Sequence, residues 1–270
     1  MLYSFGFKQG RDLAKKMVVT FRLASEQLSS QDHYDYGMRA VRSVINAAGL
    51  LKADSPDMEE DQLLLMALRD VNVPKFLKDD LPLFENIIKD LFPGIEKPTK
   101  DYAKLMNSVT ECCKKTKLQS SRPFIEKVSQ LYDTILVRHG LMLVGPTGGG
   151  KTSVYKTLSS GLTLLSKDKD SGFSKVHLHI LNPKSIKIPS QLYGDYNEST
   201  HEWSDGILAY TVREGVKDQS VEKHWIVFDG PVDSLWIESM NTVLDDNKKL
   251  CLNSGQMLTL TPHMTMMFEV

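Results

Sequence analysis

The segment Gly145–Thr152 constrains the fold of this chain more than any other feature. Its letters, GPTGGGKT, satisfy the pattern G-x-x-x-x-G-K-[ST] at every fixed position. An apolar run, Leu141–Val144, precedes it, and a helix-compatible stretch, Ser153–Leu165, follows it. Glycines here allow backbone N–H groups to turn inward around phosphate oxygens, and the next helix directs its N-terminus at the same anion. A chance match in a glycine-rich turn would not explain both flanks, so the pattern predicts a phosphate-binding loop.

The residues of this loop have distinct predicted roles toward ATP or ADP with Mg²⁺. Lys151 is expected to reach the β- and γ-phosphates, and Thr152 is expected to ligate the metal ion. A second carboxylate is needed at the end of a neighbouring strand, and Asp229 directly follows the apolar run Trp225–Phe228. Thr152 and Asp229 are therefore the predicted magnesium residues, with an ordinary strand-end turn as the alternative for Asp229. The predicted nucleotide-binding residues of the loop are Gly145, Pro146, Thr147, Gly148, Gly149, Gly150, Lys151 and Thr152.

The residues after Asp229 limit the chemistry of the site. In additional-strand ATPases a glutamate commonly follows this aspartate and deprotonates the attacking water, whereas Gly230 and Pro231 follow it here. Glycine cannot act as a base, so we assign no catalytic residue and expect ATP to be bound and cleaved slowly or not at all. The alternative is an autonomous ATPase whose base is Asp233 or Glu238. A third alternative, a scaffold that no longer binds nucleotide, is disfavoured by the intact loop.

Hydrophobic periodicity divides the chain into a helical part and an α/β part. In the first half apolar residues recur at three- and four-residue steps, which predicts amphipathic helices. Later, short apolar runs alternate with helical stretches, which predicts a parallel sheet covered by helices on both faces. The runs are Leu141–Val144, Val176–Leu181, Trp225–Phe228 and Thr265–Val270. Prolines that interrupt regular helix indicate a connection between domains, at Pro74, Pro82, Pro93 and Pro98. We predict a helical subdomain over residues 1–75, a linker with the helices leading into the next domain over 76–122, and a nucleotide-binding domain over 123–270.

Composition and spacing argue against several other functional classes. Lys and Arg (33) nearly balance Asp and Glu (34), so no overall positive field attracts nucleic acid or anionic lipid, and neither nucleic acid nor a membrane is an expected partner. No apolar run approaches the roughly 20 residues of a membrane span. Three cysteines without zinc-ligand spacing fit a reducing, cytosolic compartment. His177 and His179 share one face of a predicted strand, but no third ligand has usable spacing, so we predict no metal site there.

Four stretches of the sequence resemble the motor ring of dynein heavy chains, which are AAA+ ATPases. Residues 29–41, SSQDHYDYGMRAV, resemble the small helical subdomain that closes the first ring module, and residues 80–84 and 90–94 resemble the start of the second. The phosphate loop, and the run from Phe228 through Asn247, resemble the large domain of the second module. The resemblance covers nearly the whole chain and implies a helical subdomain followed by a P-loop AAA+ α/β domain. We expect that domain to be C-terminally truncated, because the sequence stops at Val270 next to an apolar run.

The resemblance also implies roles for residues outside the loop. Arg39 resembles the sensor-two arginine, which would touch nucleotide held by the first module, and an exposed helix arginine is the alternative. Leu81, Pro82 and Phe84 resemble the loop that packs on adenine, with domain-boundary core as the alternative. The last strand lies where sensor one belongs, but the usual asparagine is missing and Glu269 is the nearest polar residue. This departure, together with Gly230, fits the second dynein module, which the family uses to bind ATP structurally while the first drives turnover.

The letters QDHYDYGM at residues 31–38 resemble axonemal more than cytoplasmic dyneins. The family then implies a segment of an ATP-driven, minus-end-directed microtubule motor for cilium or flagellum movement, located in the cytoplasm and cytoskeleton at the axoneme. The implied partners are the other modules of the same ring, the dynein intermediate and light chains, and microtubules, the last through parts outside this sequence.

Overall fold

A computed structural model shows the chain as two compact units, Met1–Lys100 and Asp101–Val270. The residues that it describes are 1–95, 102–168, 171–186, 189–197, 199–232, 234–245 and 248–270. The segment predicted as a linker, 76–122, is divided between the units, since one of its helices packs on the first helix of the chain and another packs beside the phosphate loop's helix. No helix in these ranges is long and apolar enough to cross a membrane.

The first unit is built from packed helices over residues 1–95. Its α-helices are α1 (Gly10–Gln27), α2 (Met38–Asp54), α3 (Glu60–Asn72) and α4 (Leu81–Leu91), with 3-10 turns at Leu2–Phe5 and Val73–Lys75. The apolar stripe of α1 is buried as its spacing predicts, including Leu13, Met17 and Phe21. We had expected Pro82 to interrupt a helix, but it does not. It lies in the first turn of α4, where its missing N–H has no partner to lose.

One buried carboxylate, that of Asp80, holds the loop between α1 and α2. It accepts hydrogen bonds from the backbone N–H of Ser29 at 3.1 Å, from the Ser29 hydroxyl, and from the Tyr34 hydroxyl at 2.6 Å. The hydroxyls of Ser29 and Tyr34 lower the pKa of Asp80. The phenol oxygen of Tyr34 also accepts the N–H of Leu77 at 2.7 Å. The loop is therefore fixed by polar contacts with the residues just before α4.

The strands of the second unit are β1 (Gly140–Leu143), β2 (Val176–Leu181), β3 (Gly194–Tyr196), β4 (Trp203–Asp205), β5 (Lys223–Asp229), β6 (Lys249–Cys251), β7 (Met257–Thr259) and β8 (Met264–Glu269). Four of them form a parallel sheet in the order β1-β8-β5-β2, which confirms the predicted fold class. Two short antiparallel pairs, β3 with β4 and β6 with β7, lie beside it. The helices are α5 (Ala103–Lys115), α6 (Arg122–Val137), α7 (Lys151–Leu165), α8 (Pro189–Tyr193), α9 (Ile207–Lys217), α10 (Ser234–Ile237) and α11 (Asn241–Leu244).

The inner strand β5 is buried on both of its faces, which explains its uninterrupted apolar run Trp225–Phe228. On β5, Trp225 and Val227 belong to a core shared with α5, α6 and α7, whereas Ile226 and Phe228 belong to a core shared with α8, α9 and the short strands β6 and β7. All four side chains are fully buried. Strands with two covered faces cannot alternate between apolar and polar residues. On β5 the polar residues therefore stand outside this apolar run, with Lys223 and His224 before it and Asp229 after it.

Candidate functional site

The phosphate loop joins the end of β1 to the start of α7, and its glycines are required by its path. Gly148 and Gly150 have φ angles of 80° and 85°, in the left-handed region that side chains disfavour. At Gly149 a Cβ atom would lie 3.0 Å from the carbonyl oxygen of Pro146. Gly150 caps α7, which begins at Lys151. The unpaired N–H groups of this helix terminus therefore lie at the loop, where an anion would be stabilised.

The side chain of Lys151 folds back over the phosphate loop. Its Nζ donates hydrogen bonds to the carbonyl oxygens of Gly145 at 2.6 Å and Pro146 at 3.1 Å. The N–H of Gly145 donates to the carbonyl oxygen of Val270 at 3.2 Å, which ties the loop to the residue after β8. The ammonium group is thus held by neutral acceptors that phosphate oxygens, being charged, can replace with stronger hydrogen bonds.

Thr152, Asp229 and Glu269 meet at the carboxyl ends of the parallel strands. Asp229 on β5 and Glu269 on β8 are partners in register, and the Thr152 hydroxyl donates to Oε1 of Glu269 at 2.5 Å. Glu269 is only 8% exposed, and its Oε2 has no hydrogen-bond partner among the described residues. The fold therefore places the two predicted magnesium residues on either side of a third oxygen-bearing side chain. Sequence reasoning noted Glu269 only as a departure, although a carboxylate ending an apolar strand is the signal that identified Asp229.

The buried hydroxyl of Tyr155 on α7 belongs to the same surroundings. Burial is the main cause that raises its pKa, and the negative charges of Glu269 and Asp229 raise it further. A side-chain hydrogen-bond interaction with Glu269 raises this pKa as well, although neither the Tyr155 oxygen nor Oε2 of Glu269 has a partner at ordinary hydrogen-bond geometry among the described residues. The site thus combines two carboxylates with the buried phenol of Tyr155.

Gly230, which follows Asp229, has a backbone conformation that favours glycine. Its φ angle is 157°, and its N–H donates to the carbonyl oxygen of Glu269 at 3.3 Å. A Cβ atom here would make only ordinary contacts, so the constraint comes from the backbone rather than from crowding. Of the two alternative bases, Glu238 is exposed in a 3-10 turn, and Asp233 lies outside the described residues.

The remaining predicted nucleotide contacts belong to the first unit. Arg39 is exposed in the first turn of α2. In the first turn of α4, Leu81 is half-buried and Pro82 is exposed, while Phe84 is buried in the core of that unit. Their roles toward nucleotide stay predictions that rest on the family resemblance.

A third histidine, His224 on β5, joins the pair that the sequence places on β2. The His224 ring stacks on His177 with centroids 5.0 Å apart and on His179 at 5.7 Å. His177 contacts Glu222, and Nε2 of His224 lies 2.8 Å from Asp218 Oδ2. Among the described residues no group of three or more His, Cys, Asp or Glu side chains could hold a metal ion. The cluster is therefore a set of stacked imidazole rings whose polar contacts are with carboxylates and with one another.

Comparison with known proteins agrees with the geometry of this site. Residues 1–152 match the family model "Hydrolytic ATP binding site of dynein motor region", and residues 140–269 match "AAA domain (dynein-related subfamily)". Dynein axonemal heavy chain 1 of Mus musculus is 55% identical over 272 residues, which cover 100% of this chain and 6% of that protein. Dynein axonemal heavy chain 6 of Homo sapiens is 52% identical with the same coverage. Dynein axonemal heavy chain 12 of Rattus norvegicus is 51% identical over 268 residues, 99% of this chain and 9% of that protein.

The chain thus spans less than a tenth of the length of these curated relatives. The resemblance noted in the sequence is confirmed over the whole chain, and AAA domains of this kind bind nucleotide. Because the first family model alone matches more than half of the chain and the sheet carries an intact phosphate loop, the chain belongs to the dynein heavy chain family, within the AAA part of the motor region.

Proposed function

We propose that this chain is a segment of an axonemal dynein motor ring whose own site holds ATP or ADP with Mg²⁺ and hydrolyses ATP slowly or not at all. The observation that supports this most directly is the loop Gly145–Thr152, with glycines in the left-handed region and the Lys151 ammonium lying over it. Loop N–H groups and the N-terminus of α7 would bind the phosphates, and Lys151 would exchange its carbonyl partners for the β- and γ-phosphates.

The residues at the strand ends fit a magnesium ion. Mg²⁺ takes hard oxygen ligands and usually keeps several waters, and this edge of the sheet offers the Thr152 hydroxyl and the Asp229 carboxylate. The buried, unpartnered Oε2 of Glu269 adds an oxygen that lacks a counter-charge among the described residues. Thr152 would bind the ion directly and Asp229 through water. The ion, when bound, would neutralise charge on the phosphate oxygens.

Slow hydrolysis follows from the position after Asp229. Hydrolysis needs a group that orients the attacking water and accepts its proton. Gly230 has no side chain, and its N–H is already donated to Glu269. The chain's own residues would therefore hold and orient the phosphates without taking a proton from water.

We also propose the wider role that the relatives' names support. The segment would act in the ring of an ATP-driven, minus-end-directed microtubule motor of a cilium or flagellum axoneme, with nucleotide at this site serving as a structural hinge that tunes the first module's cycle. Its partners would be the other modules of the ring and the dynein intermediate and light chains. Microtubules would be contacted by other parts of the protein.

A single-turnover experiment tests the proposal. Labelled Mg·ATP is bound to the purified chain, the excess is removed, and the retained nucleotide is identified over time. Intact ATP persisting for many minutes supports a structural site. Conversion to ADP at about 1 s⁻¹ or faster would contradict it and favour the autonomous ATPase, with Asp233→Asn and Glu238→Gln locating the base.

The same assay needs a pair of lysine variants on α7. Lys151→Ala is expected to abolish retention, because it removes the ammonium from the loop. Lys156→Ala, which removes an exposed lysine from the same helix, is expected to leave retention unchanged. Equal retention by wild type and Lys151→Ala, or no retention by the wild type, would overturn the proposal.

A further inference from the structure

Glu269 is a buried carboxylate that the proposed chemistry does not yet use. One of its oxygens accepts the Thr152 hydroxyl at 2.5 Å, and the other has no hydrogen-bond partner among the described residues although the residue is only 8% exposed. Leaving a carboxylate oxygen buried and unpaired is unfavourable. The Tyr155 hydroxyl interacts with this carboxylate but does not reach ordinary hydrogen-bond geometry. A purely structural role would be filled better by an apolar residue or a neutral amide, so the carboxylate points to a further, missing partner.

The missing partner carries positive charge. Asp229 is the register neighbour of Glu269, so two carboxylates stand side by side at the ends of β5 and β8. Within the described ranges no lysine, arginine or histidine forms an ion pair with either of them. Lys151, the cation of the phosphate loop, donates instead to the carbonyl oxygens of Gly145 and Pro146. A divalent cation between strand ends and phosphates would relieve the repulsion between the two carboxylates.

The hydrogen bond from Thr152 to Glu269 leaves the lone pairs of the Thr152 hydroxyl available to a metal ion. A hydroxyl has one hydrogen and two lone pairs. Because the hydrogen of Thr152 is donated to Glu269, the lone pairs of Oγ1 remain free for a metal ion. This is the arrangement that a metal-ligating hydroxyl needs, since a ligand held by a second hydrogen-bonded group is oriented before the ion arrives.

We propose that Glu269 is a positioning residue for magnesium at this site: it orients the Thr152 hydroxyl toward the ion, and its unpaired Oε2 accepts a hydrogen bond from a water of the ion's coordination shell. The inference rests on the proposed nucleotide function and extends it to Glu269. It has a specific consequence. With two carboxylates beside the phosphates, nucleotide binding should depend strongly on Mg²⁺, and Glu269 should be one source of that dependence.

The test measures the affinity of the chain for a fluorescent ADP in EDTA and across a Mg²⁺ titration. The wild type is expected to bind far more weakly in EDTA than in saturating Mg²⁺. Glu269→Gln keeps the shape of the side chain and removes its charge. We expect it to reduce the ratio of the two dissociation constants by about tenfold, by weakening binding in Mg²⁺ and relieving repulsion in EDTA. Glu269→Asp keeps the charge but withdraws it from Thr152, so it should keep weak binding in EDTA and require more Mg²⁺ for half-saturation.

Controls separate positioning from stability and from the function itself. Glu214→Gln, which neutralises an exposed glutamate on α9, should leave the ratio at the wild-type value. Thermal unfolding of each variant shows whether it is folded, and Glu269→Asp carries the test if Glu269→Gln does not fold. A wild-type chain that binds no ADP at any Mg²⁺ concentration would overturn the proposed function. Wild-type binding with an unchanged ratio in Glu269→Gln and an unchanged Mg²⁺ requirement in Glu269→Asp would overturn this inference alone.

Discussion

The rings of Phe228 and Phe268 stack with their centroids 5.0 Å apart and their planes within 12° of parallel. Each ring immediately precedes a carboxylate of the site, because Asp229 follows Phe228 on β5 and Glu269 follows Phe268 on β8. Trp236 stacks on the same pair. The aromatic core under the sheet therefore sets the positions of the strand ends from which the two carboxylates extend.

Truncating this pair should destabilise the second unit. Phe228 and Phe268 are almost fully buried, so we expect Phe228→Ala and Phe268→Ala each to lower the free energy of unfolding by about 3–5 kcal/mol. A double-mutant cycle in urea should give a coupling energy of about 0.5–1.5 kcal/mol. Tyr210→Ala, an exposed aromatic on α9, should change stability by less than about 0.5 kcal/mol. Strictly additive effects of the two phenylalanine variants would contradict direct coupling.

Two glycines with the same backbone constraint allow loop strain to be separated from loop function. Gly150 and Gly172 both have positive φ angles, 85° and 71°, with open space where a Cβ atom would be. We expect Gly150→Ala and Gly172→Ala each to lower the free energy of unfolding by about 1–2 kcal/mol. Only Gly150→Ala should also weaken nucleotide binding, because its strain would displace the backbone N–H groups of the phosphate loop. Equal nucleotide affinities in the two variants, measured by equilibrium titration, would contradict this.

The guanidinium group of Arg213 bonds both carboxylate oxygens of Asp205, and we expect that a lysine cannot replace it. Arg213 donates from Nε to Asp205 Oδ2 at 2.7 Å and from a terminal nitrogen to Oδ1 at 2.9 Å, while Trp203 donates to the same Oδ1 at 2.7 Å. The Arg213 hydrogen bonds are the main cause that lowers the pKa of Asp205. Arg213→Lys should lower the free energy of unfolding in urea by about 1–2 kcal/mol, because a single ammonium cannot bond both oxygens in this geometry. Lys217→Arg, at an exposed site nearby, is the matched control and should have little effect.

The histidine cluster predicts loss of stability in mild acid. Burial, followed by the neighbouring charges of His224 and His177, lowers the pKa of His179 below its usual 6.5. The unfolded chain therefore binds more protons than the folded chain as pH falls below about 6.5, so stability present above that pH decreases. The pKa values of Glu222 and Asp218 are also lowered, and their contributions are lost at still lower pH.

Urea unfolding at pH 7.5 and 5.5 measures this effect. His179→Gln should reduce the difference in unfolding free energy between the two pH values, because the neutral side chain no longer takes up a proton on unfolding. His263→Gln, which replaces an exposed histidine, should leave the difference unchanged. A wild-type chain as stable at pH 5.5 as at pH 7.5 would show that His179 is not held neutral by the fold.

Local patterns were sufficient to predict the four strands of the parallel sheet and the phosphate loop. The strand Val176–Leu181 has the bounds that its apolar run predicts, and the loop's glycines adopt the conformations that the motif requires. The prediction was wrong where one residue type allows two structures. Pro82 was read as a helix breaker, but proline fits the first turn of a helix as well as it breaks the interior of one.

By itself, the sequence determined the fold class, the family and the loop, because each depends on residues close together in the chain. Only the tertiary structure decided which distant side chains meet. Thr152 and Glu269 are 117 positions apart and share a hydrogen bond, and His224 comes 45 positions after the His179 ring on which it stacks. The physical reason is the strand order: parallel strands bring their ends together regardless of separation along the chain, and no local pattern specifies that β8 lies between β1 and β5.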